Sequence, residues 1–371
     1  MAPAAVETRL QELRATVRAG ALNRPGIYRM LGSAGVVLYV GKSKRVRTRL
    51  MGYFRARSQE KAWRIVRDAV SIDWEYVPSE FASLLRELEL IKMYRPPYNV
   101  RQKRDGLHCF LRLSGGGAPK LHVVRRVGED SGRYFGPFLG GQRIVEAVKE
   151  LNDALMLRDC RAGMPVHFAD QEDLFGVEAS PLCPRYELRL CCGPCAARCT
   201  ASEYVRRVEQ ARAFLDGGSD GPIATLEARM GEAAATLQFE HAASLRDRIG
   251  KLEMLRSEFI RQREASEGLS FLYAVAGFAG DHRVYAIRSG SVRAVYRAPR
   301  TARERRTLLG SAEEHFERPE SRAEVTTPKR VEELFLIGHW FRTKPNELDR
   351  TFTAERWSNF PLAKALDRLV A

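Results

Sequence analysis

The first hundred residues combine short strand-like segments with amphipathic helical patterns. Residues 26–30 and 36–40 are rich in β-forming side chains and flank a Gly-Ser-Ala-Gly turn, which predicts a β-hairpin. Apolar residues at helical spacing after Pro78-Ser79 predict a helix that Pro96-Pro97 ends. Between them we expect, in order, a helix capped by Ser43 that runs to about residue 54, a helix at about 60–70 and a strand at 72–77. The order ββααβα predicts a small sheet with helices packed on it.

The pattern changes after residue 106 and indicates an α+β chain of several parts. Thr200-Ala201-Ser202-Glu203 is a capping box that opens a helix, and the Gly-rich residues 217–222 are typical of a linker. The other elements expected here are strands at 109–113 and 121–126, helices at 142–155, 223–236 and 239–260, and strands within 269–296. The chain therefore divides into four expected domains, at 1–105, 106–200, 201–262 and 263–371.

Composition limits the classes of function. A chain of 371 residues is long enough for two to four domains. The sequence has no run of eighteen apolar residues, which argues against a membrane-spanning helix. Residues 1–20 form a polar, helix-like stretch without the apolar segment of a secretory signal. We therefore expect a cytoplasmic protein with no membrane partner.

Positive charge is concentrated in the first third of the chain. The formal net charge is +15, and residues 1–110 carry 21 Lys and Arg against 10 Asp and Glu. Residues 42–57 contain seven cations and no acid, a pattern that favours binding to a polyanion with release of its counterions. A solvated basic face is the alternative, and a membrane surface is disfavoured because no strong amphipathic stripe accompanies the block. The candidate DNA-binding residues are Lys44, Arg45, Arg47, Arg55 and Arg57.

The predicted hairpin carries the most specific chemical signal. Gly-Ile-Tyr at 26–28 and Tyr-Val-Gly at 39–41 place two tyrosine hydroxyls close to Lys42 and several arginines. A tyrosine beside a lysine loses its proton more readily, and arginine can hold the charge that develops on a phosphate. Glu80 and Glu87 lie on nearly the same side of the following helix, and the pattern alone does not choose which could hold a metal ion. The tyrosines could equally be ordinary half-buried strand residues.

These strings resemble the signature of GIY-YIG nucleases. The match continues through Glu-Leu-Glu-Leu-Ile-Lys at 87–92 and Pro-Tyr-Asn-Val at 97–100, and this run resembles the N-terminal endonuclease domain of the UvrC family of bacterial nucleotide excision repair. The resemblance implies that Glu87 binds Mg²⁺ or Mn²⁺ and that Arg49 stabilises the transition state. It implies that Tyr39 is the base and that Lys42 orients it. The remaining residues of the pocket are then Tyr28, Tyr53 and Asn99.

The chain has seven cysteines, five of them within seventeen residues. Without a secretory signal, a thiolate cluster that holds metal is a better interpretation than a disulfide framework. The stretch resembles the corresponding part of UvrC proteins, whose four cysteines hold a [4Fe–4S] cluster, and zinc or reduced buried cysteines are the alternatives. Cys192 and Cys199 are additional here and leave the ligand set open. The cysteines that the resemblance assigns to the cluster are Cys160, Cys183, Cys191 and Cys195.

Residues 239–249 resemble the UVR motif, a helical hairpin that pairs with the matching hairpin of UvrB. A two-helix hairpin has too little core to be stable alone and gains by packing on a partner. An intramolecular coiled coil is the alternative. The residues expected to contact UvrB are Phe239, Ala242, Ala243, Arg246 and Asp247.

The resemblance weakens after residue 260. Residues 272–278 and 284–287 resemble the opening strands of an RNase H-like domain, but we find no set of three acids and expect no second active site. The expected fold is α+β: a small GIY-YIG mixed sheet with flanking helices, a Cys-rich α/β region, a UVR helical hairpin and a degenerate, truncated RNase H-like C-terminal part. This organisation resembles the short UvrC homologues of the Cho type, which make only the incision 3′ to a lesion.

The expected function is a metal-dependent endonuclease of nucleotide excision repair. Its expected partners are damaged double-stranded DNA and UvrB, and we expect a monomer when the protein is free. A non-catalytic adaptor that binds damaged DNA and UvrB is the alternative. The combination of tyrosines, Arg49, Glu87 and Asn99 favours the enzyme, because a binding module has no need of it.

Overall fold

The computed structural model divides the chain into two compact units. One comprises Met1–Asp105, Leu269–Glu320 and Pro328–Ala371, and the other comprises Gly106–Gly268 and Ser321–Thr327. The described residues are 3–100, 108–161, 163–171, 183–320 and 326–363. Parts of the irregular segment expected at 160–199 and of the helical pattern expected near the C-terminus lie outside them. No helix among the described residues is both long enough and apolar enough to cross a membrane.

A three-stranded antiparallel sheet, in the order β2-β1-β3, forms the centre of the N-terminal part of the first unit. Its elements are α1 (Pro3–Gly20), β1 (Gly26–Leu31), β2 (Val37–Ser43), α2 (Val46–Tyr53), α3 (Lys61–Asp68), β3 (Ser71–Tyr76) and α4 (Glu80–Tyr94). The structure therefore has the expected order ββααβα, with one helix before it.

Alternation along β1 sends side chains into two helical layers. Tyr28 and Met30 join a core with residues of α1, α2 and α3. Ile27, on the opposite face, packs with Leu90 and Ile91 of α4. The sheet is covered on both faces, and β2 lies at its edge, where side chains from both layers can meet.

Local signals set the helix starts. Ser79 caps α4, since its hydroxyl accepts a hydrogen bond at 3.1 Å from the backbone N–H three residues on. Ser43 does not cap α2, contrary to expectation. It is the last residue of β2, and its Oγ accepts a hydrogen bond from the N–H of Arg45 at 3.0 Å, so the helix begins only at Val46.

The second unit contains a three-stranded antiparallel sheet, in the order β5-β4-β6, and five helices among its described residues. Its elements are β4 (His108–Leu113), β5 (Leu121–Val124), β6 (Arg133–Leu139), α5 (Gly141–Ala154), α6 (Pro184–Glu187), α7 (Ala201–Leu215), α8 (Gly221–Ala235) and α9 (Phe239–Gly268). The capping box at Thr200 and Glu203 is present. Strand β6 was not expected, because Gly136-Pro137 interrupts its strand pattern.

The hairpin formed by α8 and α9 is part of the core of this unit. Leu245, Ile249 and Leu252 of α9 are buried in one cluster with residues of α5 and α8. The apolar stripe of α9 therefore packs on other helices of the same chain, and the expected gain from packing on UvrB stays a prediction. A UvrB-type partner can then only meet the exposed remainder of the hairpin.

The C-terminal part of the first unit is a four-stranded antiparallel sheet, in the order β10-β7-β8-β9, with two α-helices among its described residues. Its elements are β7 (Phe271–Val275), β8 (Arg283–Arg288), β9 (Ser291–Arg297), α10 (Ala302–Glu317), α11 (Pro328–Thr343) and β10 (Thr351–Phe352). Strands β7 and β8 correspond to the two expected strands, although β7 ends before residue 278. Antiparallel strands of this kind occur in many folds, so the RNase H-like assignment stays a prediction.

Phe81, near the start of α4, joins the two parts of the first unit. Its ring lies in a pocket of three aromatic rings, with centroid distances of 4.8 to 5.3 Å: Tyr273, Tyr285 and Trp340. Lys344 forms an ion pair with Glu80, and the N–H of Phe278 donates a hydrogen bond to the carbonyl of Pro78 at 2.7 Å. The helix that carries Glu87 is thus held by two different sheets.

Candidate active site

Three tyrosines and an arginine form a contiguous group on one face of the N-terminal sheet. The hydroxyls of Tyr28 and Tyr53 are hydrogen-bonded at 2.9 Å, and Nε of Arg49 donates to the Tyr28 hydroxyl at 3.3 Å. The ring of Tyr39 lies 6.2 Å from that of Tyr28 and 6.3 Å from that of Tyr53. The structure therefore brings together four of the residues that the sequence singled out.

The glycines of the two strings are steric requirements of this packing. Tyr28 is paired with Gly41 across β1 and β2, and a Cβ at Gly41 would lie 2.5 Å from the Tyr28 hydroxyl. A Cβ at Gly26 would lie 2.4 Å from the carbonyl oxygen of Glu75 on β3. Neither position accepts a larger residue without moving a strand or the tyrosine.

The three tyrosines differ in burial: Tyr28 and Tyr53 are buried, and Tyr39 is half-buried. Burial raises the pKa of Tyr28 to about 12 and also raises the pKa of Tyr53. These two hydroxyls therefore stay protonated at neutral pH. Tyr39 is only half-buried, and Nζ of Lys61 lies 5.7 Å from its ring centroid. Of the three, Tyr39 is the one that can meet solvent.

Lys42 faces Glu87 rather than Tyr39. Residues 39 and 42 are three positions apart on β2, so their side chains project to opposite faces of the sheet. Burial raises the pKa of Glu87 to about 7, while the charge of Lys42 and a hydrogen bond from its backbone oppose that shift. The expected pairing of Lys42 with Tyr39 was therefore wrong. The lysine beside Tyr39 is Lys61, which no sequence pattern links to it because the contact depends on how α3 packs.

The free edge of β2 is closed by side chains and backbone from the segment after α4. Asn99 accepts a hydrogen bond from the N–H of Val40 at 2.9 Å through Oδ1 and donates to its carbonyl at 2.8 Å through Nδ2. The N–H of Tyr98 donates to the carbonyl of Leu38 at 3.0 Å. An edge strand presents unpaired backbone groups on alternate residues, and these contacts satisfy them. Asn99 is buried and positions β2.

The structure also distinguishes the two carboxylates that the sequence pattern left open. Glu80 forms ion pairs with Lys44 at 2.9 Å and with Lys344, and hydrogen bonds from both lysines lower its pKa although burial alone would raise it. Glu87 is 8% exposed and forms no ion pair within 4.0 Å among the described residues. A buried carboxylate without such a partner suits a divalent cation, and Mg²⁺ commonly uses only one or two protein carboxylates and keeps several waters.

The five cations proposed to bind DNA all lie on the surface of the same domain. Lys44 pairs with Glu80, whereas the other four form no ion pair with any described residue. A phosphate backbone is attracted by exposed charges that the protein has not already neutralised. The residues concerned are Lys44, Arg45, Arg47, Arg55 and Arg57.

Four cysteines of the second unit line one cavity of about 60 Å³: Cys160, Cys183, Cys191 and Cys195. Arg158 lines it as well, with Nη1 3.9 Å from Sγ of Cys160. Cys192 and Cys199 are instead free thiols that are hydrogen-bonded to each other in the hydrophobic core. Within the described parts of the chain, no three His, Cys, Asp or Glu side chains already surround a single metal position. The cavity therefore separates the four cysteines of the expected set from the two additional ones.

The UVR-like hairpin exposes part of the predicted partner site. Phe239 is 66% exposed beside Leu237, which is 73% exposed, so two large apolar side chains face solvent at the turn. Arg246 and Asp247 are exposed, 3.7 Å apart, on the outer face of α9. The remaining two residues of the set are half-buried: Ala242 and Ala243.

Three family models match consecutive parts of the chain. A UvrC-like GIY-YIG domain matches residues 24–100, the UvrC/Cho excinuclease middle domain matches 108–214, and the UvrB/uvrC motif matches 220–254. The first part is a GIY-YIG endonuclease domain. The three regions match, in chain order, the GIY-YIG, middle and UVR domains of the UvrC family.

Curated relatives support this assignment over the same regions. The UvrABC system protein C of Pseudomonas putida is 35% identical over 236 residues, which cover 63% of this chain and 37% of that protein. Those of Thermus thermophilus and Clostridium perfringens are 36% identical over 273 residues and 30% identical over 275 residues, and each match covers 43% of the relative. The chain thus spans less than half the length of these relatives.

Solved structures of the N-terminal GIY-YIG endonuclease domain of UvrC from Thermotoga maritima are also similar to this chain. The structure bound to its catalytic divalent cation, magnesium, is 35% identical, with 24% of this chain and 97% of that chain covered and a TM-score of 0.22. A point mutant bound to its catalytic divalent cation is 35% identical, with 24% and 98% covered and a TM-score of 0.23.

Proposed function

We propose that this chain is a metal-dependent DNA endonuclease of nucleotide excision repair, which hydrolyses one phosphodiester 3′ to a bulky lesion in a UvrB–DNA complex. The observation that carries the proposal is the meeting of two features at one edge strand: a buried, unpaired carboxylate at Glu87 and the group of Tyr28, Tyr39, Arg49 and Tyr53. A DNA-binding module without catalysis has no use for that combination.

Glu87 is the residue that would hold Mg²⁺ or Mn²⁺. When bound, the cation supplies a Lewis acid for the phosphate and stabilises the leaving oxygen. The donor chemistry fits, because a carboxylate oxygen is a preferred ligand of both ions and Glu80 is already neutralised by lysines.

The other side chains divide the remaining work. Tyr39, the half-buried tyrosine, acts as a phenolate beside the Lys61 ammonium and becomes the neutral phenol when it accepts the proton of the attacking water. Tyr28 and Tyr53 keep their protons, because burial raises the pKa of both, and Tyr28 holds Arg49 through Nε. The terminal nitrogens of Arg49 remain available for two phosphate oxygens, the bidentate geometry that stabilises developing charge most effectively. Asn99 keeps the strand of Tyr39 in register.

Incision of a defined duplex tests this function. The substrate is a 5′-labelled duplex with one bulky adduct, incubated with Mg²⁺ in the presence and absence of UvrA and UvrB. We expect a single product whose length places the cut 3′ to the adduct, and a requirement for UvrB. A cut 5′ to the adduct, or cleavage of undamaged duplex without UvrB, would contradict the assigned role. Binding without any cleavage would favour the non-catalytic adaptor.

We propose that UvrB binds the exposed face of the UVR hairpin. Phe239 and Arg246 are exposed and make no contribution to the buried core of α9, so their replacement should leave the fold intact. We expect Phe239→Ala with Arg246→Glu to abolish capture of the protein by immobilised UvrB at unchanged thermal stability. The matched control is Glu253→Ala, a change on the same helix away from the turn. Full capture by the double variant would count against this surface.

We propose a [4Fe–4S] cluster in the cavity lined by four cysteines, with zinc as the alternative. Burial raises the pKa of Cys191 to about 11, so its thiolate needs positive charge nearby, and Arg158 already contacts Cys160. We expect anaerobically purified protein to absorb near 400 nm, and Cys191→Ser but not Cys192→Ser to remove that band. A colourless protein that contains stoichiometric zinc would reject the cluster.

The organisation of the chain supports a single-incision enzyme of the Cho type. The C-terminal sheet has Ala274 and Val275 in β7 where a catalytic acid would be needed, and Asp281 in the following turn is paired with Arg283 at 2.9 Å. We therefore assign all hydrolysis to the GIY-YIG domain and give the C-terminal part a role in binding and support.

A further inference from the structure

A cavity of about 780 Å³ lies in the C-terminal part of the first unit, outside every residue assigned above. The turn after β7, the end of β9 and the start of α10 form its walls. Its volume falls within the range of about 300–1,000 Å³ that ligand sites occupy. A cavity of this size could hold about one or two nucleotide units. Because a nucleotide carries a negatively charged phosphate, the charge of the cavity wall decides whether such a ligand can bind.

Three arginines line the cavity: Arg297, Arg300 and Arg303. All three are exposed, and none forms an ion pair with any residue that the structure describes. The two acids in the wall are already engaged. Asp281 pairs with Arg283, and Glu304 accepts a hydrogen bond from the backbone N–H of Arg300 at 2.8 Å. The cavity therefore offers guanidinium groups to an anion from solution.

The position of Arg303 indicates that its charge serves a purpose other than helix stability. It lies in the first turn of α10, where the helix macrodipole disfavours cations. Residues 297–306 hold five arginines and only one acid, so the concentration extends through the segment. Guanidinium groups bind phosphate oxygens in a bidentate fashion and are the preferred side chains for that task.

The wall of the cavity is connected to the nuclease domain. Its first residues, Ala279 and Gly280, directly follow Phe278. Phe278 donates its N–H to Pro78 at 2.7 Å, and the guanidinium of Arg24 lies 4.5 Å from its ring centroid. Both contacts are with residues that flank elements of the nuclease sheet. A DNA strand bound at the nuclease domain therefore has a second anion-binding surface within the same compact unit.

We propose that this cavity is a second phosphodiester-binding site, in which Arg297, Arg300 and Arg303 hold the sugar–phosphate backbone of the DNA that the nuclease domain cuts. The proposal rests on the proposed function in one respect, the identity of DNA as substrate. The site contributes affinity and register and takes no part in the chemistry.

The test is equilibrium binding of a fluorescein-labelled 30-base-pair duplex to the full chain by anisotropy, as a function of salt. Every protein carries Glu87→Gln so that the DNA stays intact. Arg300→Ala with Arg303→Ala should weaken binding at least about tenfold at 0.1 M salt and lower the slope of log K against log salt by about two. Arg306→Ala is the matched control, because Arg306 is an exposed arginine of α10 that does not line the cavity. It should bind with an affinity closer to that of the parent than to that of the double variant.

Two outcomes overturn the proposal in distinguishable ways. If the parent binds duplex and the double variant binds equally well with an equal slope, the cavity is not a DNA site, while the proposed nuclease function stands. If the parent fails to bind duplex even at 50 mM salt, the proposed function fails together with this inference. Thermal unfolding with sodium tripolyphosphate, in the absence of DNA, distinguishes a site for small anions from a site for DNA. A rise in Tm that requires Arg300 and Arg303, together with equal duplex affinities, would reassign the cavity to a free polyphosphate.

Discussion

At the scale of single residues, burial determines the charge that each titratable group of the active site carries. Tyr28 and Tyr53 are buried and protonated, Tyr39 is partly open, and Glu87 is held in a desolvated position with a pKa raised to about 7. Glu80, two turns earlier on nearly the same side of α4, is stabilised as a carboxylate by two lysines. Similar side chains thus differ in burial and in their charged partners according to their position in the site.

Glu87 should make the stability of the nuclease domain fall as the pH rises. Its folded-state pKa, raised from 4.5 to about 7, exceeds the unfolded value, so its contribution is fully present below pH 4.5 and is lost as the pH passes through about 7. The loss corresponds to about 3 kcal/mol. Urea unfolding in EDTA between pH 5 and 8 should show this decline in the parent and a smaller decline in Glu87→Gln.

The same urea unfolding measurement, repeated with magnesium in place of EDTA, tests whether Glu87 binds the cation. A cation that binds the ionised Glu87 should recover stability at pH 8 in the parent and much less in Glu87→Gln. Equal pH dependence in the two proteins would show that Glu87 is not desolvated as described. Equal stabilisation by magnesium would place the ion elsewhere.

Asn99 should act on catalysis through the position of β2. Asn99→Ala leaves the N–H and carbonyl of Val40 without partners at a closed edge, which should cost about 1–3 kcal/mol of stability. We expect kcat for incision to fall at least about tenfold together with a lower Tm. A fall in kcat at unchanged Tm would instead indicate direct contact between Asn99 and the substrate.

At the scale of elements, the site is built where an edge strand meets two helical layers. β2 carries Tyr39 towards α2 and α3, while its opposite face and free edge receive α4 and the segment after it. The start of α4 also packs into the C-terminal sheet through Phe81. Glu87, seven residues further along α4, therefore depends on a helix that is fixed at both ends.

Phe81→Ala should uncouple the C-terminal part from α4. Phe81 is fully buried among three aromatic rings, and loss of such a side chain costs about 3–5 kcal/mol. Urea unfolding followed by tryptophan fluorescence suits the measurement, because Trp340 contacts Phe81. Met93→Ala on the same helix is the control, since Met93 is 60% exposed and its removal should change stability by less than about 0.5 kcal/mol. Equal effects of the two changes would argue against the docking role.

The hairpin and α4 are elements that sequence patterns predict well. The Gly-containing turn, the cap at Ser79 and the prolines after residue 95 are local signals, and each acts in the structure as expected. Other elements depend on contacts that are distant in sequence. The apolar stripe of α9 gave no indication that α5 would cover it, and Lys61 reaches Tyr39 only through the packing of α3.

At the scale of the whole molecule, two compact units carry the domains. The GIY-YIG domain and the C-terminal sheet share one unit although the 163 residues from Gly106 to Gly268 separate them, and the regions that match the middle and UVR domains lie in the other unit. The sequence predicts the order of these parts through their motifs. It does not predict that the C-terminal part of the first unit contacts α4, because the contacts are made by single aromatic and charged residues without a periodic pattern.

The active site shows the same difference between what local motifs indicate and what depends on contacts between distant segments. The tyrosines, Arg49, Glu87 and Asn99 are identified through the resemblance to a motif, whereas the helix pattern alone does not choose between Glu87 and Glu80. The structure adds a physical difference between the two carboxylates, because two lysines pair with Glu80, and it shows that Asn99 is hydrogen-bonded to the backbone of β2. The arginines at 297–306 form a basic run in the sequence, but a charge run alone does not indicate a site, because it is usually a solvated face. The cavity that they line is a property of the folded chain.

The measurement that tests the central claim most directly compares the two glutamates of α4 in magnesium-dependent incision. Parent, Glu87→Gln and Glu80→Gln proteins are assayed side by side on the adduct-bearing duplex with UvrB, and their binding to the same duplex is measured in parallel. We expect Glu87→Gln to bind DNA normally but to lose incision activity by at least about a thousandfold. We expect the incision rate of Glu80→Gln to stay within about tenfold of that of the parent. Incision by Glu87→Gln near the parental rate would contradict the first of these expectations.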